Sequence, residues 1–171
     1  MRTAIYGMVI WSIVCLTAGM SAETDPAKIV EEGIRQFYRD AASDDEKVRA
    51  AAIKNYFVDE ATLTKLIGKE DGARVWAVIS KRLEDPRMVA ALKNEIGSKG
   101  AVKEIKLIDL RQDPNSADKV KWLAAEIPIY RAVITTDKTT AGSSAYVVID
   151  NKVRHFQGLD RLPEMLKNLP K

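Results

Sequence analysis

A single histidine, His155, limits the acid–base chemistry open to this chain. Any Ser-His-Asp arrangement, or any metal site that needs histidine, has to use it. It stands in the run AYVVIDNKVRHFQ (145–157), where Asp150 and Asn151 both tolerate left-handed backbone angles and so suit a two-residue hairpin turn. Counting back antiparallel from that turn puts His155 opposite Tyr146, on a face shared with Val148 and Val153. A histidine beside a tyrosine could line a pocket, with the imidazole acting as a base near neutral pH, but a strand histidine is more often structural.

The other chemically loaded side chains are Tyr130 and Arg131, which alternate across one strand, and Trp76 and Trp122. Only one of Tyr130 and Arg131 can point into a cavity beneath the helices. An inward arginine would be a handle for an anionic ligand, while the rim of the sheet is the more common place for such a charge. Trp76 on a helix facing the sheet fits either a packed core or the wall of an apolar ligand cavity. The ligand-pocket candidates are therefore Tyr130, Arg131, Tyr146, His155 and Trp76.

No catalytic residue, metal ligand set or cofactor motif is assigned. Ser143 and Ser144 follow Gly142 without the G-x-S-x-G elbow, and GKEDG (68–72) lacks the order that wraps backbone N–H groups and a lysine around phosphate. The acids of SDDE (43–46) read as helix caps rather than as a metal cluster.

These residues need elements to hold them, and the sequence punctuates its elements clearly. Asp25-Pro26 opens a helix with the stripe Val30, Ile34, Phe37 and Ala41. The S-x-x-E box at 43–46 opens a second, with Val48, Ala51, Ala52 and Tyr56 as its stripe. Asp59 caps a short helix through Leu63, Leu66 and Ile67 that ends at Gly68, and Asp71 starts one burying Val75, Trp76, Ile79 and Leu83. Asp85-Pro86 opens a fifth, through Val89, Leu92 and Ile96, stopped by Gly97.

From residue 102 the pattern changes to strands. VKEIKLIDLRQ (102–112) alternates imperfectly, and residues 126–135 are rich in β-branched and aromatic types. Pro128 argues for an edge or bulge at its place, and TDKTTAGSS (136–144) reads as a long hairpin loop. After Gly158, Leu159, Leu162, Met165, Leu166 and Leu169 outline a short last helix.

Helices first and strands afterwards is an α+β pattern, with several N-terminal helices packed on a curved antiparallel sheet of about four strands plus a short C-terminal helix. The expected organisation is a signal peptide over residues 1–22 and one domain over residues 23–171, with a helical front at about 25–97, the sheet at about 102–157 and the terminal helix at about 160–169.

The first 22 residues carry one basic residue, an apolar run and small residues before Ala22, the layout of a secretory signal peptide; an uncleaved N-terminal anchor is the alternative. Cleavage would remove Cys15, the one cysteine, so the mature chain would hold no disulfide or thiolate site. It would carry 26 basic and 24 acidic residues, a net of +2, spread without the concentrated basic face of a nucleic-acid binder.

A helical front over a sheet that ends in paired strands such as AYVVIDNKVRHFQ resembles the NTF2-like, cystatin-like α+β superfamily. That resemblance implies a cone able to hold a small molecule or to dimerise, and it transfers no site residue because the superfamily has no diagnostic motif.

The expectation is therefore an exported, non-catalytic small-ligand-binding or protein-interaction module of the cell envelope, periplasmic or extracellular, without stable membrane insertion after cleavage. Its partner would be a small apolar or anionic ligand, a second copy of the chain or an envelope protein. The alternative is a hydrolase or isomerase using a pocket with His155 and an acid such as Asp150.

Overall fold

The computed structural model describes residues 25–169, so the expected signal peptide lies outside the described residues. Helices cover both faces of a four-stranded antiparallel meander, in the order β1-β2-β3-β4: Val102–Asp109, Ile129–Thr136, Thr140–Ile149 and Lys152–Phe156. The α+β architecture expected from the sequence is the one observed. Among the described residues no helix is long and apolar enough to cross a membrane.

One face carries α1 (Pro26–Ala41), α2 (Glu46–Tyr56) and α5 (Pro86–Lys99). Their buried side chains, Val30, Ile34, Phe37, Ala52, Ile53, Tyr56, Leu92 and Ile96, meet Ala132, Ile134, Tyr146 and Val148 of the sheet. The other face carries α3 (Glu60–Ile67), α4 (Lys69–Leu83), a short turn of helix α6 (Ala117–Val120), and α7 (Leu162–Asn168). There Leu63, Leu66, Val75, Leu123 and Leu162 pack on Ile129, Ala145, Val147 and Phe156. The sheet is thus apolar on both sides, which is why its strands read as continuous apolar runs rather than a clean alternation.

The chain passes from the first face to the second at Phe57-Val58, around β4. Phe57 forms an isolated parallel bridge with His155, and the Val58 N–H donates to the His155 carbonyl at 3.1 Å. It returns through Glu84-Asp85, between α4 and α5.

Local chemistry sets the helix starts. Asp25, Asp45, Asp59 and Asp85 each accept a backbone N–H of the first turn through the side chain. Three boundaries differ from the sequence expectation. The second helix is capped by Asp45 rather than Ser43, whose Oγ accepts from the Asp45 N–H at 3.2 Å. Its buried series is Arg49, Ala52, Ile53 and Tyr56, so Val48 faces solvent. Arg49 can be buried there because its Nη1 donates to the Ser43 and Asp44 carbonyls at 2.7 and 2.9 Å, tying down the α1–α2 loop.

The fourth helix starts at Lys69, not Asp71, with Gly68 (φ 89°) as both the end of α3 and the cap of α4. Gly72 then allows the two helices to touch, since a Cβ there would lie 2.8 Å from the Thr64 backbone nitrogen. The fifth helix runs through Gly97 to Lys99 and stops at Gly100, whose φ is 80°.

In the sheet, the expected long loop at 136–144 is short. The Thr136 N–H donates to the Thr139 carbonyl at 2.8 Å, and Thr140 already belongs to β3. Pro128 lies just before β2, and its carbonyl accepts from the Val148 N–H at 3.2 Å. An irregularity where Arg131 pairs with Ala145 but Val133 with Gly142 gives β3 one extra residue, a β-bulge.

Candidate functional site

The β3–β4 hairpin determines the site. Asp150 and Asn151 take φ of 51° and 57°, and the register that follows pairs Val148 with Val153 and Tyr146 with His155. Both rings face the helices α1, α2 and α5, and both line a cavity of about 560 Å³ between those helices and the sheet. That size is typical of a site for a small organic molecule.

The inner wall is aromatic. Tyr56 stacks on Phe37 with ring centroids 3.7 Å apart at 6°, and on His155 at 5.3 Å and 26°. Phe57 meets His155 edge-on at 5.1 Å, and Tyr146 lies 5.1 Å from it. The Tyr56 hydroxyl donates to the Tyr146 hydroxyl at 2.8 Å, which settles a buried polar group that neither ring could leave unpaired cheaply. Burial first, and then Tyr146, holds the Tyr56 phenol well above its ordinary pKa.

His155 is less well satisfied. Its Nδ1 is buried and has no hydrogen-bond partner among the described residues. Burial lowers its pKa from 6.5 to about 4, so the imidazole is neutral at pH 7. A base that weak is a poor proton acceptor at neutral pH. Asp150, the acid considered beside it, lies outside the cavity lining, and its two oxygens accept from Lys65 Nζ at 2.8 and 2.6 Å.

The mouth is charged, with Arg82, Asp85, Arg87, Glu95 and Lys99 from the end of α4, the crossing turn and α5. Asp85 accepts from Arg87 Nη2 at 2.7 Å, and that side-chain contact is the main cause of its lowered pKa. Glu95 accepts from Lys99 Nζ at 3.0 Å. Met88, Leu92 and Ile96 supply the apolar side facing the sheet.

Of the five pocket candidates, Tyr146 and His155 come together and the other three do not join them. Tyr130 pairs with Tyr146 in register and packs on the same core, but does not line the cavity. Burial, then Asp109 and Asp25, raise its phenol pKa. Arg131 points to the opposite side, where its Nη2 donates to Ser116 Oγ at 3.3 Å and Ser116 in turn donates to Asp113 at 2.6 Å. Trp76 packs against the second core, on that same opposite side.

In the sequence Phe37 and Tyr56 carry only the helical periodicity of core residues, and Phe57 and Arg82 carry no motif. The available signal was the pair of aromatic dipeptides, Phe37-Tyr38 near the end of the first helical pattern and Tyr56-Phe57 at the end of the second. All four of those rings line the cavity. Among the described residues no cluster of three or more His, Cys, Asp or Glu could hold a metal ion.

No family model, curated protein or solved structure matches the chain. The functional reading therefore rests on the geometry of this site.

Proposed function

We propose that this chain is an exported, non-catalytic module that binds a small, largely apolar molecule between α1, α2, α5 and the sheet. The observation that supports it most is the aromatic wall of the cavity, where Phe37, Tyr38, Tyr56, Phe57, Tyr146 and His155 line one space of about 560 Å³. Its apolar, aromatic interior and charged mouth are the usual make-up of a small-molecule site. The neutral imidazole and the engagement of Asp150 by Lys65 weigh against the hydrolase or isomerase alternative. Export is read from the leader-like first 22 residues.

Thermal-shift screening with small aromatic and aliphatic compounds tests the reading. A true ligand at a hundredfold excess over Kd stabilises by about 2.7 kcal/mol, a shift of several degrees. Ala91 is exposed and lines the cavity, so Ala91→Trp is expected to block it without disturbing the core and to abolish the shift. A shift that survives Ala91→Trp, or a screen in which nothing stabilises the protein, would overturn the proposal.

A further inference from the structure

The charges at the mouth distinguish between classes of ligand. Three cations, Arg82, Arg87 and Lys99, share the lining with two carboxylates, Asp85 and Glu95. Both carboxylates are taken by their own helix: Asp85 receives Nε and Nη2 of Arg87 at 3.0 and 2.7 Å, and Glu95 receives Lys99. The Arg82 guanidinium is exposed and has no hydrogen-bond or ion-pair partner among the described residues. The formal surplus at the mouth is one positive charge, and it sits on the side chain with the fork geometry that best receives a carboxylate.

The wall points the same way. An aromatic lining can also select a cation through open ring faces. Here the Tyr56 ring is stacked against both Phe37 and His155, so the faces of this innermost ring are taken. Phe57 and Tyr38 meet this stack edge-on, which completes an apolar wall suited to a flat hydrocarbon body.

Resting on the binding role given above, we infer that the site takes an aromatic monocarboxylate, its ring system against the Tyr56–His155 wall and its carboxylate on Arg82 at the mouth. Arg82 is then the residue that sets specificity, and the aromatic wall supplies affinity common to acid and neutral forms.

A matched pair of probes isolates the charge: naphthalene-2-acetate and naphthalene-2-acetamide, titrated calorimetrically into the protein at pH 7. The acid is expected to bind at least tenfold more tightly, with an advantage that shrinks as salt is raised. Arg82→Gln is expected to bring the acid down to the affinity of the amide and to leave the amide unchanged; Arg82 is exposed, so the melting temperature serves as a folding control. Equal binding of the two probes, or an acid preference that survives Arg82→Gln, overturns the carboxylate assignment while leaving the cavity a binding site. Binding of neither probe, together with a blank apolar screen, overturns both.

Discussion

Among the described residues the two faces of the sheet bury cores of nearly equal size, fourteen residues on one and thirteen on the other, yet they are made of different side chains. The face under α3, α4 and α7 is aliphatic: Leu63, Leu66, Val75, Ile129, Val147 and Leu162 with Phe156. Branched and linear hydrocarbon side chains interdigitate, so this core can close around itself, with Trp76 packed against it. The face under α1, α2 and α5 instead gathers Phe37, Tyr56 and Tyr146, with His155 against them. Rigid rings tile less completely, and three of these four carry a polar atom that must be partnered. The Tyr56–Tyr146 hydrogen bond answers two of those needs, and His155 Nδ1 is left over. One sheet thus carries two unlike faces, and the proposed binding role assigns recognition to the aromatic one.

The sharpest way to break that comparison is to damage the aliphatic face and measure binding. Leu63 is fully buried there, and Leu63→Ala is expected to cost about 2–5 kcal/mol in denaturant unfolding. Ligand affinity in the opposite cavity should stay within twofold, under conditions where the variant remains folded. A comparable loss of affinity would show that the two faces act as one unit.

The next effect belongs to the aromatic face and depends on pH. His155 has a folded pKa of about 4 against 6.5 when unfolded. Between these values the unfolded chain binds the extra proton, so stability rises with pH across the window. The contribution is fully present above about 6.5 and lost as pH falls to about 4, an effect of at most about 3 kcal/mol because part of the ring edge remains open. Urea melts at pH 7 and pH 4.5 should show that slope, and His155→Phe should flatten it. An unchanged slope in the variant would mean that other groups carry the acid sensitivity.

A smaller effect tests how the aromatic face satisfies its polar atoms. Tyr56→Phe removes the donor to the Tyr146 hydroxyl and is expected to cost about 1 kcal/mol. In a double-mutant cycle with Tyr146→Phe, a coupling energy near zero would show that the two hydroxyls do not depend on each other.

How far this arrangement could be read from the chain varies with the range of the interaction. Local signals were clear: Asp25 and Asp85 before prolines, Asp59, and the Asp150-Asn151 turn all act where the sequence places them. The turn alone was enough to put His155 opposite Tyr146, because register follows from turn length. Which helix lies on which face was not legible, since the crossings at Phe57-Val58 and Glu84-Asp85 leave no mark in helical periodicity. Trp76 was therefore a candidate for a cavity on the other side of the sheet. Arg131 was hidden for a different reason: strand parity showed that it opposed Tyr130, but not that Ser116 would receive it. Arg82 lacked any signal, because an exposed arginine in the last turn of a helix is what the helix dipole favours anyway.

The smallest expected effect bears on why His155 is a weak base. Asp150 sits five positions away on the same hairpin and could in principle act on the imidazole, yet its carboxylate is held by Lys65 across an exposed gap, with side chains 71% and 48% open to solvent. An ion pair that exposed contributes under about 0.5 kcal/mol. Asparagine tolerates the left-handed angle that the turn requires, so Asp150→Asn removes the charge while keeping the hairpin. The expected outcome is a stability change under about 0.5 kcal/mol and an unaltered His155 titration by NMR, because burial rather than a neighbouring carboxylate sets that value. A shift of the imidazole pKa in the variant would instead tie His155 to the acid. It would also favour the catalytic alternative over the proposed binding role.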